Sequence, residues 1–302
     1  MLTTLGSVAL GDLRQLYPGR AKGVLWPAAG QDVYQVSREE DLPEPVAQVV
    51  SHLWSVTWRR RADQPFRSSV LSNPIVHLTV EDAEGDRIHG HPVPATLVHG
   101  LVRRVFSVEL PVAGRVTGVA FHAGGLAALT GTGVDDLTDR VVPARQVLGD
   151  GCEAVARRVL AEADEAARRQ HLLRYLGELL APVLDRVTGD SAYQVVRRAE
   201  ELMRSREQVS VGPVAEQVNV SARTLQRYFA RYVGASPLWV LRRYRLQDAA
   251  AAIDAGQGTD LASLAADLGF ADQAHLTRAF TAAIGVPPAR YRAGERPAGA
   301  PG

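Results

Sequence analysis

The sequence predicts an α+β protein, with an N-terminal antiparallel β sandwich or barrel, trailing helices, and then an all-α domain of two helix-turn-helix units. Three observations point there. Short apolar or alternating runs, punctuated by glycine and proline, fill the stretch from about Val46 to His122. From Gly124 onward the apolar spacing changes from two to three and four. In the last third, one pattern of about fifty residues occurs twice.

Each element follows from its own residues. The run Val46–Trp58 carries Val49, Val50, Leu53, Trp54, Val56 and Trp58. Val70–Val80, Thr96–Val98, Val102–Leu110 and Arg115–His122 are further strand-like runs, set off by turn residues such as Gly85, Gly90, Pro94 and Pro111. Short strands at this spacing belong to sandwiches and barrels. Trp54, Trp58, Phe106 and Phe121 supply enough aromatic surface to line a pocket or, equally, to fill a core. From Leu172 to Val187, leucines and valines recur on one helical face. Pro182 should interrupt that helix, because it donates no backbone hydrogen bond. Gly189-Asp190 marks a joint. The expected domains are therefore 1–189, with its helical part at about 124–189, and 190–292. The Gly/Pro/Ala tail 293–302 should be frayed.

In the C-terminal third, Val214-Ala215 matches Leu264-Ala265 at an offset of 50. Leu225, Arg227, Phe229, Gly234 and Pro237 match Leu276, Arg278, Phe280, Gly285 and Pro288 at 51, and one inserted residue, Ala271, explains the difference. Each copy reads as a short helix ending at Val218 or Leu268, then a tight turn at Asn219-Val220 or Gly269-Phe270. Ser221 or Asp272 follows as an N-cap that can accept a free backbone N–H. A second helix then buries Leu225 and Phe229, or Leu276 and Phe280, at i and i+4. Gly234 and Gly285 suit helix stops. Between the copies, Pro237 to about Ala255 reads as one helix, with Leu238, Leu241, Ala249 and Ile253 as its inner stripe.

Composition narrows the function. The chain has 302 residues, 46% hydrophobic and 22% charged, which suits a globular protein of about two domains. No apolar run reaches the ~18 residues of a membrane span. No Lys or Arg precedes Arg14, so Met1–Gly11 lacks the charged start of a secretory signal. The expectation is a soluble, cytoplasmic protein. Lys22 is the only lysine, which removes a phosphate loop, and Cys152 the only cysteine, which removes disulfides and multi-cysteine zinc sites. Cys152 suits a packing role. Ser191–Gly302 carries 14 arginines and 10 acids, a net +4 that leaves −3 for the remainder. Arg223, Arg227, Arg231, Arg242, Arg243 and Arg245 lie between Glu216 and Asp248 with no acid among them, which fits either a polyanion partner or a solvated face. His77, His89, His91, His99 and His122 fall on or beside strands, and His89-Gly90-His91 would set two imidazoles on one side of a strand. No Glu follows within a few residues. No metal ligand, catalytic residue or cofactor is assigned, and whether these histidines hold a metal stays open.

The words SARTLQRYF at Ser221–Phe229, Arg245-Leu246 with Ala249, LGFADQAHLTRAF at Leu268–Phe280 and GVPPARYR at Gly285–Arg292 carry a specific resemblance. The segment from about Ala192 to Arg292 resembles the DNA-binding domain of the AraC/XylS family of bacterial transcription regulators. His52–Trp58, Asn73–His77 and Gly118–Leu129 are similar to the N-terminal domain of a subgroup of these regulators, whose function is unassigned. In the family such domains are often cupin-like ligand sensors.

The resemblance implies that Arg223, Gln226 and Arg227, and then Gln273, Ala274 and Arg278, read bases. The chemistry agrees, since arginine pairs with guanine and glutamine with adenine in the major groove. Ala274 departs from the longer polar residues of relatives and could touch only a thymine methyl. Ser221, Arg231, Arg242, Asp272, His275 and Thr277 fall on the DNA backbone or beside the reading positions. Arg245 either touches DNA or pairs with an acid such as Asp272 and braces the two halves. The expected function is a sequence-specific, double-stranded-DNA-binding transcription regulator, not an enzyme, whose two units read adjacent major grooves ~34 Å apart. Candidate partners besides DNA are a small-molecule effector, RNA polymerase and a second copy of the chain. The Leu172–Val187 face could serve that copy or pack on its own domain. The alternative is a metal-dependent cupin-like enzyme with a DNA-binding tail. A methyl-transfer DNA-repair fusion is disfavoured, for want of a cysteine cluster.

Overall fold

The computed structural model describes residues 24–26, 33–205, 210–256 and 260–297. In chain order the N-terminal half runs β1 (Tyr34–Glu39), α1 (Glu44–Ala47), β2 (Val50–Arg59), β3 (Phe66–Val70), β4 (His77–Ala83), β5 (Arg87–Ile88), β6 (His91–Pro92), β7 (Ala95–His99), β8 (Phe106–Leu110), β9 (Ala113–Phe121), α2 (Gly125–Thr130) and β10 (Val141–Pro143). Four helices follow, α3 (Arg145–Leu148), α4 (Gly151–Ala161), α5 (Glu165–Leu180) and α6 (Leu184–Thr188). The C-terminal half contains α7 (Ser191–Arg204), α8 (Val211–Gln217), α9 (Ala222–Val233), α10 (Pro237–Asp254), α11 (Leu261–Asp267), α12 (Gln273–Ile284) and α13 (Pro288–Arg292).

Six strands pair antiparallel in the order β1-β2-β9-β4-β7-β10. Side-chain alternation gives this sheet two faces. Leu53, Leu78, Val80, Val119 and Phe121 turn toward the helices. Trp54, Val56, Trp58, His77, Thr79 and Glu81 turn the other way, into a cavity that β3 and β8 cover from the far side. The indoles determine their neighbours. Trp54 stands opposite Gly118 and Trp58 opposite Gly114. A Cβ at Gly118 would come within 2.3 Å of the Trp54 ring, and one at Gly114 within 2.2 Å of Trp58. The two glycines leave room for the indoles to lie across β9.

One apolar cluster runs from the sheet through Leu126, Leu172 and Leu176 into Tyr193, Leu225 and Phe229. The first helix-turn-helix unit thus shares a core with the N-terminal half. A second cluster holds Ala249, Ile253, Leu264, Leu276 and Phe280, and reaches back to Leu71. The apolar face of α5 and α6 belongs to the first cluster, so it packs within its own chain. Pro182 sits in a 3₁₀ turn, Ala181–Val183, that separates α5 from α6.

Several elements depart from the sequence reading. Val46 belongs to α1, residues 71–76 link two strands, and the helical stretch after Gly124 is broken by β10. Strands β1 and β10 have no counterpart in the sequence reading. The first is an edge strand of mostly polar residues, YQVSRE, and its place comes from pairing with β2. Leu238 is 45% exposed and is not part of the α10 interior, whereas Leu241, Ala249 and Ile253 are buried. Within the tail, Glu295 pairs with Arg290. Residues 298–302, like Met1–Gly11 and Lys22, lie outside the described residues.

Candidate nucleic-acid interface and an internal cavity

The two helix-turn-helix units repeat one another in detail. Asn219 and Gly269 both take positive φ, 56° and 70°, at the turn between their helices. Ser221 accepts from the backbone N–H of Thr224, and Asp272 from that of His275, each satisfying a free donor of the helix it starts. Gly234 and Gly285 end α9 and α12 in the left-handed conformation. Phe229 and Phe280 are 0% exposed. With that face inward, Arg223, Gln226 and Arg227 stand exposed on α9 at relative positions 0, 3 and 4, which is one helix face. Gln273, Ala274 and Arg278 are exposed on α12. Arg231 and Arg242 are exposed too, while Thr277 is half-buried. The His275 ring packs edge-on against Phe270, 5.3 Å away, inside its own turn.

Two of the six clustered arginines are not on that surface. Arg243 and Arg245 are buried in α10. Arg245 pairs with Asp248, 3.9 Å away and one helical turn on, and not with Asp272, whose carboxylate is exposed and caps α12. A charge count along the chain cannot separate these two from their solvent-facing neighbours.

The cavity between the sheet and the β3–β8 ribbon measures about 610 Å³. Trp54, Trp58 and Phe106 line it. Phe121 does not, because its β9 position turns it into the helical core. Trp54 donates its indole N–H to Nδ1 of His77 at 3.1 Å. Burial, with His99 nearby, pulls the His77 pKa down to about 3, so the ring is a neutral acceptor. Glu81 is 2% exposed and is approached by Nε2 of His99 at 2.9 Å and Nε2 of His89 at 3.4 Å. Burial alone would raise its pKa, but the hydrogen bonds from His89 and His99 outweigh that and keep the carboxyl below its ordinary range. His89-Gly90 is the two-residue turn between β5 and β6, with φ of 49° at His89 and 77° at Gly90, and His91 opens β6. The two imidazoles therefore diverge, and His91 reaches the Val141 carbonyl instead, at 3.2 Å. Sequence reasoning missed the meeting of Glu81 with His89 and His99. The one available signal was the alternation His77-Thr79-Glu81, three polar groups on one face of an otherwise apolar strand.

Residues 214–294 match a family described as a helix-turn-helix domain. Over 83 residues the chain is 37% identical to a Streptomyces lividans protein named as an AraC-like transcription regulator. The C-terminal domain is a helix-turn-helix domain of the AraC type. The match covers 28% of this chain and 27% of that relative, so the chain spans about a quarter of the length of the curated protein it matches. Residues 42–143, upstream of the AraC-type domain, match a domain of unknown function, DUF6597. Solved structures of ToxT from Vibrio cholerae are also similar. One covers 86% of this chain and 98% of its own at 10% identity, with a TM-score of 0.39. Another, bound to an unsaturated fatty acid, covers 88% and 97% at 9% identity, with a TM-score of 0.38.

The AraC-type domain is anchored to the cavity wall. From α10, the Arg243 guanidinium donates to the carbonyls of Ser72 at 2.8 Å, Val102 at 3.0 Å, Arg104 at 3.0 Å and Arg103 at 3.4 Å. One turn further on, Gln247 donates to the Leu71 carbonyl at 2.6 Å and to Oδ1 of Asn73 at 3.0 Å. Ser72, Asn73 and Val102 also line the cavity. The helix that joins the two helix-turn-helix units therefore holds the rim of the chamber. Among the described residues, no helix is long and apolar enough to cross a membrane.

Proposed function

We propose that the protein is a sequence-specific DNA-binding transcription regulator, in which residues 190–292 bind double-stranded DNA and residues 1–189 sense a small molecule. The observation that carries the reading is the duplicated unit with matching caps, which leaves arginine and glutamine exposed on both α9 and α12. In this reading Arg223, Gln226, Arg227, Gln273 and Arg278 read base edges, and Ala274 meets a thymine methyl. Ser221, Arg231, Arg242, Asp272, His275 and Thr277 lie along the backbone or beside the reading positions. The effector would be a compact organic molecule with enough apolar surface to meet Trp54, Trp58 and Phe106. RNA polymerase and a second copy of the chain are the proposed protein partners, the latter not through the covered α5 face. The proposed location is the cytoplasm, on the nucleoid, and no catalytic role is assigned.

The test is selection of bound sequences by the full chain, followed by Arg227→Ala and Arg278→Ala measured at fixed salt. Each should cost ~1–3 kcal/mol on the selected site and much less on random DNA. Equal losses on both kinds of DNA would reduce these side chains to phosphate contacts and remove the base-reading assignment.

A further inference from the structure

Glu81, His89 and His99 form a group that the DNA-binding reading leaves unused. Glu81 comes from β4 and His99 from its neighbour β7, both on the inward face of the sheet, and His89 comes from the turn after β5. All three line the cavity. One potential ligand atom from each lies within 4.8 Å of the other two. His99 approaches Oε1 of Glu81 and His89 approaches Oε2, so both rings converge on a single carboxylate.

We propose that Glu81, His89 and His99 are the protein ligands of a divalent transition-metal cation of the zinc class, with its remaining coordination position open to the cavity. Four observations carry this. The donor set is right, because one carboxylate and two imidazoles suit zinc and its neighbours, and three protein ligands with the fourth position left to water or another small ligand is an established zinc arrangement. The spacing is close. Bonds of ~2.0–2.1 Å in a tetrahedron set ligand atoms ~3.3 Å apart; His99 stands 2.9 Å from Oε1 of Glu81 and His89 3.4 Å from Oε2, and one potential ligand atom from each residue lies within 4.8 Å of the others, so small side-chain shifts would complete the set. The charge is compatible. Among the described residues, the ion-pair partners of the buried Glu81 carboxylate are the imidazoles of His89 and His99, and a carboxylate and imidazoles can share one cation. Finally, the surroundings hold the ligands in place. The Thr79 hydroxyl donates to Oε1 of Glu81 at 2.6 Å. Phe106 packs on both imidazoles, 5.1 and 5.8 Å away. His89 is kept at a φ of 49°, a conformation uncommon for a residue with a side chain, in the two-residue turn that brings it over the cavity.

The inference is independent of DNA binding and is tested apart from it. Chelator-stripped full-length protein is titrated with Zn²⁺, and bound metal is counted by mass spectrometry. A parallel titration with Co²⁺ reads coordination geometry from its visible absorption. One cation per chain is expected, with a tetrahedral cobalt spectrum. Glu81→Gln and His89→Asn should each weaken binding ~100-fold or more, since loss of a ligand exceeds the 10–100-fold effect of its outer partners. Asparagine tolerates the positive φ at 89, so that variant should keep its fold. His91→Asn, next to the same turn but outside the cluster, should bind as the parent does. No stoichiometric uptake, an octahedral cobalt spectrum that ignores both variants, or equal zinc affinity in parent and His89→Asn would each overturn the assignment.

Discussion

His52 and His122 lie near the seam between the N-terminal half and the helices, and burial makes both poor bases. Desolvation, with Arg38 beside it, lowers the His52 pKa to about 3. Desolvation, with Arg197 nearby, lowers that of His122 to about 4. In the unfolded chain both titrate near 6.5. Between these limits the unfolded state holds more protons, so stability rises with pH there. It is complete above ~6.5 and is lost as pH falls from ~6.5 toward the folded values, at no more than ~1.4 kcal/mol per pH unit for each ring. Melting temperature should therefore fall between pH 7 and pH 5. The double variant His52→Gln, His122→Gln should make that fall shallower, leaving the share of His77, whose folded pKa is also about 3. A double variant with the parent's slope would show that other groups set the acid limit.

Single elements show what a sequence can and cannot reveal about this chain. The helix-turn-helix units were legible because each is local. Caps, turn residues and i, i+4 anchors all lie within about twenty residues, and duplication repeats the signal. Helix α10 is legible in extent and in most of its inner stripe, Leu241, Ala249 and Ile253, but Leu238 is exposed and the burial of its polar residues is not legible. It is enclosed by both units and by the N-terminal half, so Arg243, Arg245, Gln247 and Asp248 are buried alongside Leu241 and Ile253. A helix covered on nearly every side has no apolar stripe to find. The Glu81 cluster was illegible for another reason. Its members are 8 and 10 residues apart in sequence, with no helical or strand spacing, and only the sheet register and the turn at His89 bring them together. The anchors give the prediction that belongs to this scale. Phe229→Ala and Phe280→Ala each empty a site at 0% exposure and should cost ~3–5 kcal/mol. DNA affinity should fall in step with loss of helical circular dichroism. A variant that melts like the parent would mean the phasing of that helix is wrong.

Across the whole molecule, the two halves are joined by a shared core and by Arg243. This side chain is 2% exposed, and its guanidinium holds four carbonyls of the N-terminal half. Burial lowers its pKa to about 10, which still leaves it charged at neutral pH. An effector in the cavity would press on Ser72, Asn73 and Val102, the segments that Arg243 and Gln247 hold, so it has a direct mechanical route to α10. A ligand shifts such an equilibrium only by its difference in affinity for the two arrangements, typically ~1–3 kcal/mol or ~5–150-fold. Arg243→Leu keeps most of the apolar stem and removes every donor, leaving buried carbonyls unpaired at ~1–3 kcal/mol of stability. Calorimetry of the full chain should then resolve two transitions where the parent has one, because the AraC-type domain no longer melts with the sheet. In the same variant, whatever small molecule shifts DNA affinity in the parent should lose its effect while basal binding persists, since Arg243 is buried away from the exposed faces of α9 and α12. A single transition together with an intact effector response would locate the coupling in the shared apolar core around Tyr193 and Phe229 instead.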